Sequence, residues 1–520
     1  MNAWRRGEDT GFGEPAGPDT RPHAVIIGSG FGGLAAAVRL GARGWRVTVV
    51  ERQDQPGGRA AVHRHEGFTF DAGPTVITAP FLLEELWQLA GRRLADDVRL
   101  VPVAPFYRVR FDDGDQFDYC GDPAAMRAEV ARFAPADVAG YERFLEASQA
   151  IYQVGFERLG HVPFGRLTDM LKVLPELMRL ESWRTVWQMA CKHVADPRLR
   201  MVLTFQSLLV GGNPFATTSV YCLIAFLERR FGVHWAMGGT NRLVQGLAGL
   251  VAHQGNRLLL GTGVERIVVR DGRAAGVQLA DGSTLAADIV VSNADSATTY
   301  RRLVPPEHHR RRWTDRKLDR AKYSMSLFVW YFGTRRQYPD VAHHTIVLGP
   351  RYRGLLDDIF NRHQLSPDFS LYLHRPTATD PSMAPPGCDS FYVLAPVPNL
   401  QGDTDWTREA EPMRQRVRRR LAETLLPGLD DCVVSARVMT PLDFRDRLGS
   451  EVGAAFGLAP VLTQSAWFRP HNASEDLPGL YLVGAGTHPG AGLPGVLSSA
   501  RVLDQLIPDG AAWRAAAAHG

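Results

Sequence analysis

The sequence predicts an α/β protein. A Rossmann-type nucleotide-binding domain is assembled from discontinuous segments, and a mixed α+β domain is inserted between them. Three observations predict it. First, the strand-like run Ala24-Val25-Ile26-Ile27 meets a glycine-rich turn, Gly28-Ser29-Gly30-Phe31-Gly32-Gly33; a helical stretch and a second strand-like run, Arg46–Val50, follow, and that run ends in Glu51. Second, Asp288-Ile289-Val290-Val291-Ser292-Asn293-Ala294 reads as a buried strand returning to the same sheet. Third, Leu480-Tyr481-Leu482-Val483 runs into Gly484-Ala485-Gly486, with a small-residue helix from Leu497.

Each part of the first unit has a physical task. Gly28 permits the tight strand-to-helix turn, and Gly30 and Gly32 keep the turn free of side chains. Gly33 lets the helix approach the sheet. The helix start offers N–H groups and the positive end of a dipole to phosphates. Glu51 stands where a carboxylate grips ribose hydroxyls.

The continuation narrows the ligand. Arg52 follows Glu51, and a second glycine pair arrives in Pro56-Gly57-Gly58-Arg59, then Asp71-Ala72-Gly73-Pro74-Thr75. A nicotinamide site needs no second pair there. Flavoproteins of the amine-oxidase and carotenoid-desaturase kind have one, running along the cofactor's pyrophosphate and ribityl chain. Gly58 and Arg59 are therefore candidate cofactor contacts, since a guanidinium binds such oxygens bidentately. Gly484 and Gly486 are candidates from the far end of the chain.

Other stretches make the likeness specific. They are Ser207–Ala216, Ala342-His343-His344-Thr345, Leu462–Asn472 and Gly479–Ser499. With these, the chain resembles the bacterial-type phytoene desaturases from about residue 23 to about 507, nearly its whole length. The resemblance implies an amine-oxidase-like flavoprotein architecture and FAD as cofactor. It also implies that Val264 approaches the adenine or ribose through its backbone; taken alone, Val264 reads as an ordinary strand valine.

Length and composition agree. The chain has 520 residues, 45% hydrophobic and 22% charged, a length for two to four domain-sized units with ample core. A net charge of +4 is too mild for nucleic acid and compatible with an anionic membrane surface. Cys120, Cys191, Cys222, Cys388 and Cys432 are odd in number and scattered, which predicts no disulfide frame and no cysteine metal site. Residues 1–22 are polar, without the apolar core of a signal peptide, and are expected to form a disordered tail. Residues 508–520 are expected to be a second tail.

The expected division places the FAD domain at 23–105, 234–300 and 455–507, and the substrate and membrane-associated domain at 106–233 and 301–454. Asp271-Gly272 and Asp281-Gly282 read as hairpin turns between strands. Residues 124–200 read as helical, and Ser326–Phe332 and Phe369–Leu373 as strands.

The implied substrate, phytoene, is a long hydrocarbon with no polar group. At about 0.8 kcal/mol per buried CH₂, its transfer to water costs tens of kcal/mol. It therefore has to be taken from a bilayer. Met201–Leu227 is uncharged but interrupted by Gly211-Gly212-Asn213-Pro214, which predicts short helices lining a tunnel rather than a span. Leu167–Trp187 mixes apolar residues with Lys172, Arg179, Arg184, Trp183 and Trp187, a pattern for an interfacial helix and equally for one packed on the core. The expected location is peripheral, on the cytoplasmic face of the cell membrane.

Flavin chemistry needs no nucleophilic triad, and no Gly-x-Ser-x-Gly elbow lies between a strand and a helix. Two residues are candidates for catalysis. Asp169 lies in Thr168-Asp169-Met170-Leu171-Lys172, which resembles a family Arg-Asp-Met-Leu-Arg segment, with Thr168 and Lys172 where arginines are expected. His488 follows the signature Thr487. His343 and His344 form a pair with no third ligand at metal spacing, so no metal site is expected. The resemblance implies phytoene and its desaturation intermediates as substrates, lycopene as product, and oxygen or a membrane quinone as electron acceptor. The alternatives are another carotenoid desaturase or ketolase, a flavin amine oxidase, or a lipid-binding protein on the same fold.

Overall fold

The computed structural model describes residues 19–308 and 312–518. Most of the expected 1–22 tail lies outside the described residues. Among those described, a five-stranded sheet is built from four distant stretches of chain. Its order is Leu480–Leu482, Ile289–Ser292, His23–Ile27, Arg46–Val50 and Arg257–Leu259. Every neighbouring pair is parallel. The Val- and Ile-rich runs carry no alternation because both faces are covered. The helix Phe31–Ala42 packs on one face beside the helices Asn241–His253 and Leu493–Leu506.

This order positions the site. From His23–Ile27 the chain moves to Arg46–Val50 on one side, and its other neighbour is Ile289–Ser292. The strand order therefore reverses directly above Gly28, the place where open α/β sheets leave a crevice for ligands.

A three-stranded antiparallel sheet, Val264–Arg270, Arg273–Leu279 and Thr284–Ala286, flanks this unit. Asp271 and Gly272, with φ of 49° and 70°, form the expected tight turn between the first two strands. A larger seven-stranded sheet orders Val433–Met439, Ser326–Thr334, Asp389–Val397, Leu371–His374, His344–Val347, Tyr107–Arg110 and Gln116–Tyr119. It is antiparallel except where His344–Val347 meets Tyr107–Arg110. Helices from Pro123 to Val202 complete this half.

Asp71 joins the two halves. Its carboxylate accepts the N–H groups of Thr240 at 2.9 Å and Asn241 at 3.4 Å, capping the helix Asn241–His253. Gly239 is needed beside it, since a Cβ there would lie 2.8 Å from Asp71 Oδ2.

The end of the chain departs from expectation. Gly510–Ala517 is a helix, and the Trp513 ring packs 5.2 Å from Trp45. Trp45 Nε1 also donates to Pro508 O at 3.1 Å. An alanine-rich run reads as featureless in sequence because its anchoring side chains, Trp513 and Arg514, find their partners Trp45 and Thr20 hundreds of residues away. The five cysteines are all unpaired.

Candidate functional site

One cavity of about 640 Å³ runs from the crevice above Gly28 into the seven-stranded half. Its first portion is lined by backbone and polar groups. Gly28, Gly30, Gly32, Glu51, Arg52, Gly58, Arg59, Val264, Gly484 and Gly486 all border it, as does His488. Gly33 does not line the cavity. It sits beneath the turn, where a Cβ would fall 2.1 Å from Gly28 O. Its task is the close approach of helix to strand.

The turn is organised by Glu51 and Asn293. Glu51 Oε2 accepts Ser29 N–H at 2.9 Å and Ser29 Oγ–H at 2.8 Å, and Oε1 accepts Gln53 N–H at 2.9 Å. The carboxylate thus holds the phosphate turn and the end of the second strand together while facing the crevice. Asn293 occupies the space that three glycines leave open. A Cβ on Gly30, Gly32 or Gly484 would lie within 2.8 Å of its side-chain amide. Sequence reading placed Asn293 at a strand end and gave it no role, because the contact joins three separate segments.

Two helix starts open on the cavity without side-chain caps, those of Phe31–Ala42 and Leu493–Leu506. Their first N–H groups remain available to anionic oxygens. The helix Asn241–His253, by contrast, is plugged by Asp71.

Arg59 is buried. Its Nη2 donates to Ser450 Oγ at 2.8 Å, and its Nε has no partner. Burial lowers its pKa, with the nearby Asp295 carboxylate acting the other way. Asp295 also lines the cavity, and caps the next helical turn through Ala297 N–H at 2.9 Å. Arg52 turns to the backbone instead, donating to the carbonyls of Arg447 and of Asp446. Arg447 borders the cavity too, its Nη1 paired with Asp443 Oδ1 at 3.8 Å. Glycine cradles, unspent helix N–H groups and the orphaned Arg59 Nε fit a flavin dinucleotide.

Beyond this polar portion the wall becomes apolar. Met325, Leu327, Val329, Ile346, Leu348 and Leu394 supply a floor from the large sheet. Phe205, Leu208, Leu209 and Leu223 add the wall expected from the uncharged 201–227 run. That run forms 3-10 turns and the helix Leu223–Phe231. Glu228 is a buried exception. It accepts Tyr107 Oη–H at 2.6 Å, and desolvation pushes its pKa up to about 8.

His488 is buried and neutral. Its Nε2 donates to Leu159 O at 3.0 Å, its Nδ1 has no partner, and burial lowers its pKa to about 4. Asp169 is placed elsewhere. It lies in the first turn of the helix Leu167–Arg179, where Oδ2 accepts Arg166 N–H at 2.9 Å, and it is half-buried. It is not part of the cavity wall, although Met170 and Leu177 of the same helix are.

That helix buries none of its residues. Leu167, Leu171, Leu174 and Met178 project outward, Leu171 being 56% and Met178 54% exposed. Leu462 and Phe468 are also exposed on the neighbouring segment, which lines the cavity through Leu462, Ser465 and Ala466. The cavity therefore reaches the surface beneath an apolar rim. Among the described residues, no helix is long and apolar enough to cross a membrane.

The histidine pair differs from expectation. His344 faces His374 across the antiparallel register, and the ring nitrogens of His343, His344 and His374 come within 4.8 Å of one another. The third member is invisible in sequence because strand pairing, not spacing, delivers it. His343 and His374 share a 3.1 Å contact between their Nε2 atoms.

A crevice of this kind, joined to a deep apolar cavity, defines a flavin-dependent oxidoreductase. A family model described as flavin containing amine oxidoreductase matches residues 31–502. A lycopene-forming phytoene desaturase of Pseudescherichia vulneris is 51% identical over 93% of this chain and 98% of its own. A neurosporene-forming phytoene desaturase of Rhodobacter capsulatus is 50% identical over 94% of each chain. An oxidoreductase structure from Methanosarcina mazei shares the fold, with a TM-score of 0.61 at 18% identity, covering 93% of this chain and all of that one. The chain belongs to the flavin containing amine oxidoreductases and, within them, to the bacterial-type phytoene desaturases.

Proposed function

We propose that this protein binds FAD and carries phytoene through successive dehydrogenations to lycopene at a membrane surface. One observation carries the reading: the dinucleotide crevice and the apolar cavity are a single space that opens under an apolar rim. A hydrocarbon entering there passes from bilayer to flavin without meeting water. An amine substrate would instead have to enter beneath that rim.

Bound FAD would be held by the Gly28–Gly33 turn, Glu51, Gly58, Arg59, the Val264 backbone and the Gly484–Gly486 turn. It would supply the acceptor for a hydrogen leaving carbon with both electrons. The chain's own part is to hold the polyene in register, exclude water and dispose of a proton. His488, neutral and fixed by Leu159, would contact the reacting region from the wall. Oxygen or a membrane quinone would reoxidise the system.

Liquid chromatography of products from purified protein, FAD and phytoene-loaded liposomes tests this, under air and then under nitrogen with quinone. Lycopene is expected. Neurosporene alone would shorten the series, and unchanged phytoene with FAD bound would overturn the substrate. Docking is tested by liposome flotation, which is expected to be lost when Lys172, Arg179 and Arg184 are replaced by Glu. Unchanged flotation would remove the helix Leu167–Arg179 and the turn after it from the docking surface.

A further inference from the structure

Each dehydrogenation proposed above leaves a proton inside an apolar cavity, and the following inference rests on that reading. The proton comes from a carbon beside an allylic cation. Such a carbon acid is very strong, so the acceptor need not be a good base. It must touch the cavity, be neutral beforehand, and lead outward.

The familiar candidates lack one of these. Asp169 caps a surface helix outside the cavity wall. Glu228 borders the cavity and is neutral, but its hydrogen bond ends on the fully buried Tyr107 hydroxyl and leads nowhere outward. His488 could accept at Nδ1. Its other nitrogen ends on the Leu159 carbonyl, an acceptor that passes no proton outward.

A different set meets all three conditions. Thr75, Tyr372 and Tyr392 bring hydroxyls to the cavity wall. Thr75 Oγ1 lies 3.0 Å from Tyr372 Oη and 2.7 Å from Tyr392 Oη. Behind them, Tyr372 Oη lies 2.7 Å from His344 Nδ1, and His344 Nε2 has no partner. His343 and His374 stand next, with ring nitrogens of all three histidines within 4.8 Å. His343 Nδ1 then meets Thr379 Oγ1 at 2.7 Å, and Thr379 is half-buried, in reach of solvent. Burial holds all three rings neutral.

We propose that Tyr372 and His344 form the proton acceptor of the desaturation, and that the His344–His374–His343–Thr379 cluster carries the proton out. In the step, the C–H bond beside the cation breaks and its electron pair becomes the new double bond. The proton binds Tyr372 Oη while the tyrosine's own proton moves to His344 Nδ1. The other hydrogen has already left with both electrons, which is the oxidation supplied by the flavin. Imidazolium formed in so dry a place is unstable and gives its proton from Nε2 to the neighbouring pair, then through Thr379 to water. The low basicity of the buried rings favours that release. His344, left protonated at Nδ1, regains its starting tautomer after product leaves, when Tyr372 gives a proton to water entering the cavity and takes the Nδ1 proton while the cluster returns one to Nε2.

The test begins without turnover. Nitrogen NMR of the ¹⁵N-histidine-labelled protein is expected to show His344 neutral, protonated at Nε2 and accepting a hydrogen bond at Nδ1. That signal should shift in Tyr372→Phe. A ring protonated at Nδ1, or charged, overturns the assignment, even if no variant folds. Under turnover, Tyr372→Phe and His344→Gln should each lower kcat by about a hundredfold. KM for phytoene and FAD content should stay within about twofold. The double variant should lose no more than either single one, because both remove the same step. Additive losses, or kcat near wild type in Tyr372→Phe, overturn the relay. Wild-type protein that does not desaturate phytoene would instead overturn the proposed substrate, while the NMR result stands on its own.

Discussion

The two ends of the cavity are built on opposite plans. At the nucleotide end the wall is backbone: Gly30, Gly32 and Gly484 leave room that only the Asn293 amide fills, and two helix starts stay uncapped. At the sheet end the wall is side chain: Leu327, Val329, Ile346 and Leu394 fill a floor where many similar residues would serve. A ligand of fixed shape and charge demands a fixed backbone. A flexible hydrocarbon demands dryness and length. The first end should therefore fail abruptly on substitution and the second should yield by degrees.

The largest effect belongs to the backbone wall. Gly32→Val puts a Cβ 2.5 Å from the Asn293 side-chain Oδ1 and 2.9 Å from the Gly484 backbone N, and that backbone cannot retreat without moving the strand Leu480–Leu482 that leads into it. Loss of bound flavin is expected, read as absent visible flavin absorbance in a protein that still folds by circular dichroism. By contrast, Leu327→Val or Leu394→Val should leave flavin content unchanged and alter only the distribution of carotenoid products. Flavin retained by Gly32→Val would break the comparison.

The same contrast explains what the sequence discloses. The Gly28–Gly33 turn, Glu51, the Gly57-Gly58-Arg59 turn and the Gly484–Gly486 turn were legible because each is a contiguous string whose spacing is forced by one strand–turn–helix geometry. Asn293 was not, since the glycines around it lie on other segments, and neither was Asp295, whose facing Arg59 is far away in sequence. Nor was the third histidine, which the register of His344 against His374 supplies. The helix Gly510–Ala517 escaped for a similar reason, its anchor being Trp45. The role of Asp71 was hidden too: its motif looked like part of the cofactor site, yet its carboxylate caps a helix.

Glu228 sharpens the comparison at the apolar end, because a carboxyl there has to remain neutral. Its pKa is raised from an ordinary 4.5 to about 8, so the folded state holds a proton that the unfolded chain has released between those values. Stability from this group is therefore greatest below about pH 4.5, falls as pH rises, and is gone above about pH 8. Glu228→Gln keeps an acceptor for Tyr107 and cannot ionise. Thermal melts of wild type should drop between pH 5 and pH 8 by several degrees more than those of the variant, a difference of about 2 kcal/mol or more. Parallel melting curves would show that Glu228 is already ionised or solvated.

The smallest effect is expected at the rim, where Asp169 separates two roles that sequence alone could not. Its carboxylate accepts Arg166 N–H at the start of the helix Leu167–Arg179, facing solvent. A cap contributes about 0.5–1 kcal/mol, and an amide oxygen can make the same bond. Asp169→Asn should therefore keep wild-type turnover on phytoene liposomes, while Asp169→Ala frays the helix and slows substrate entry by a few-fold at most. The two substitutions diverge only if the oxygen acceptor matters and the charge does not. If Asp169→Asn instead falls by about a hundredfold with liposome binding intact, the carboxylate handles a proton. The rim helix would then have to fold inward during turnover to bring it to the polyene.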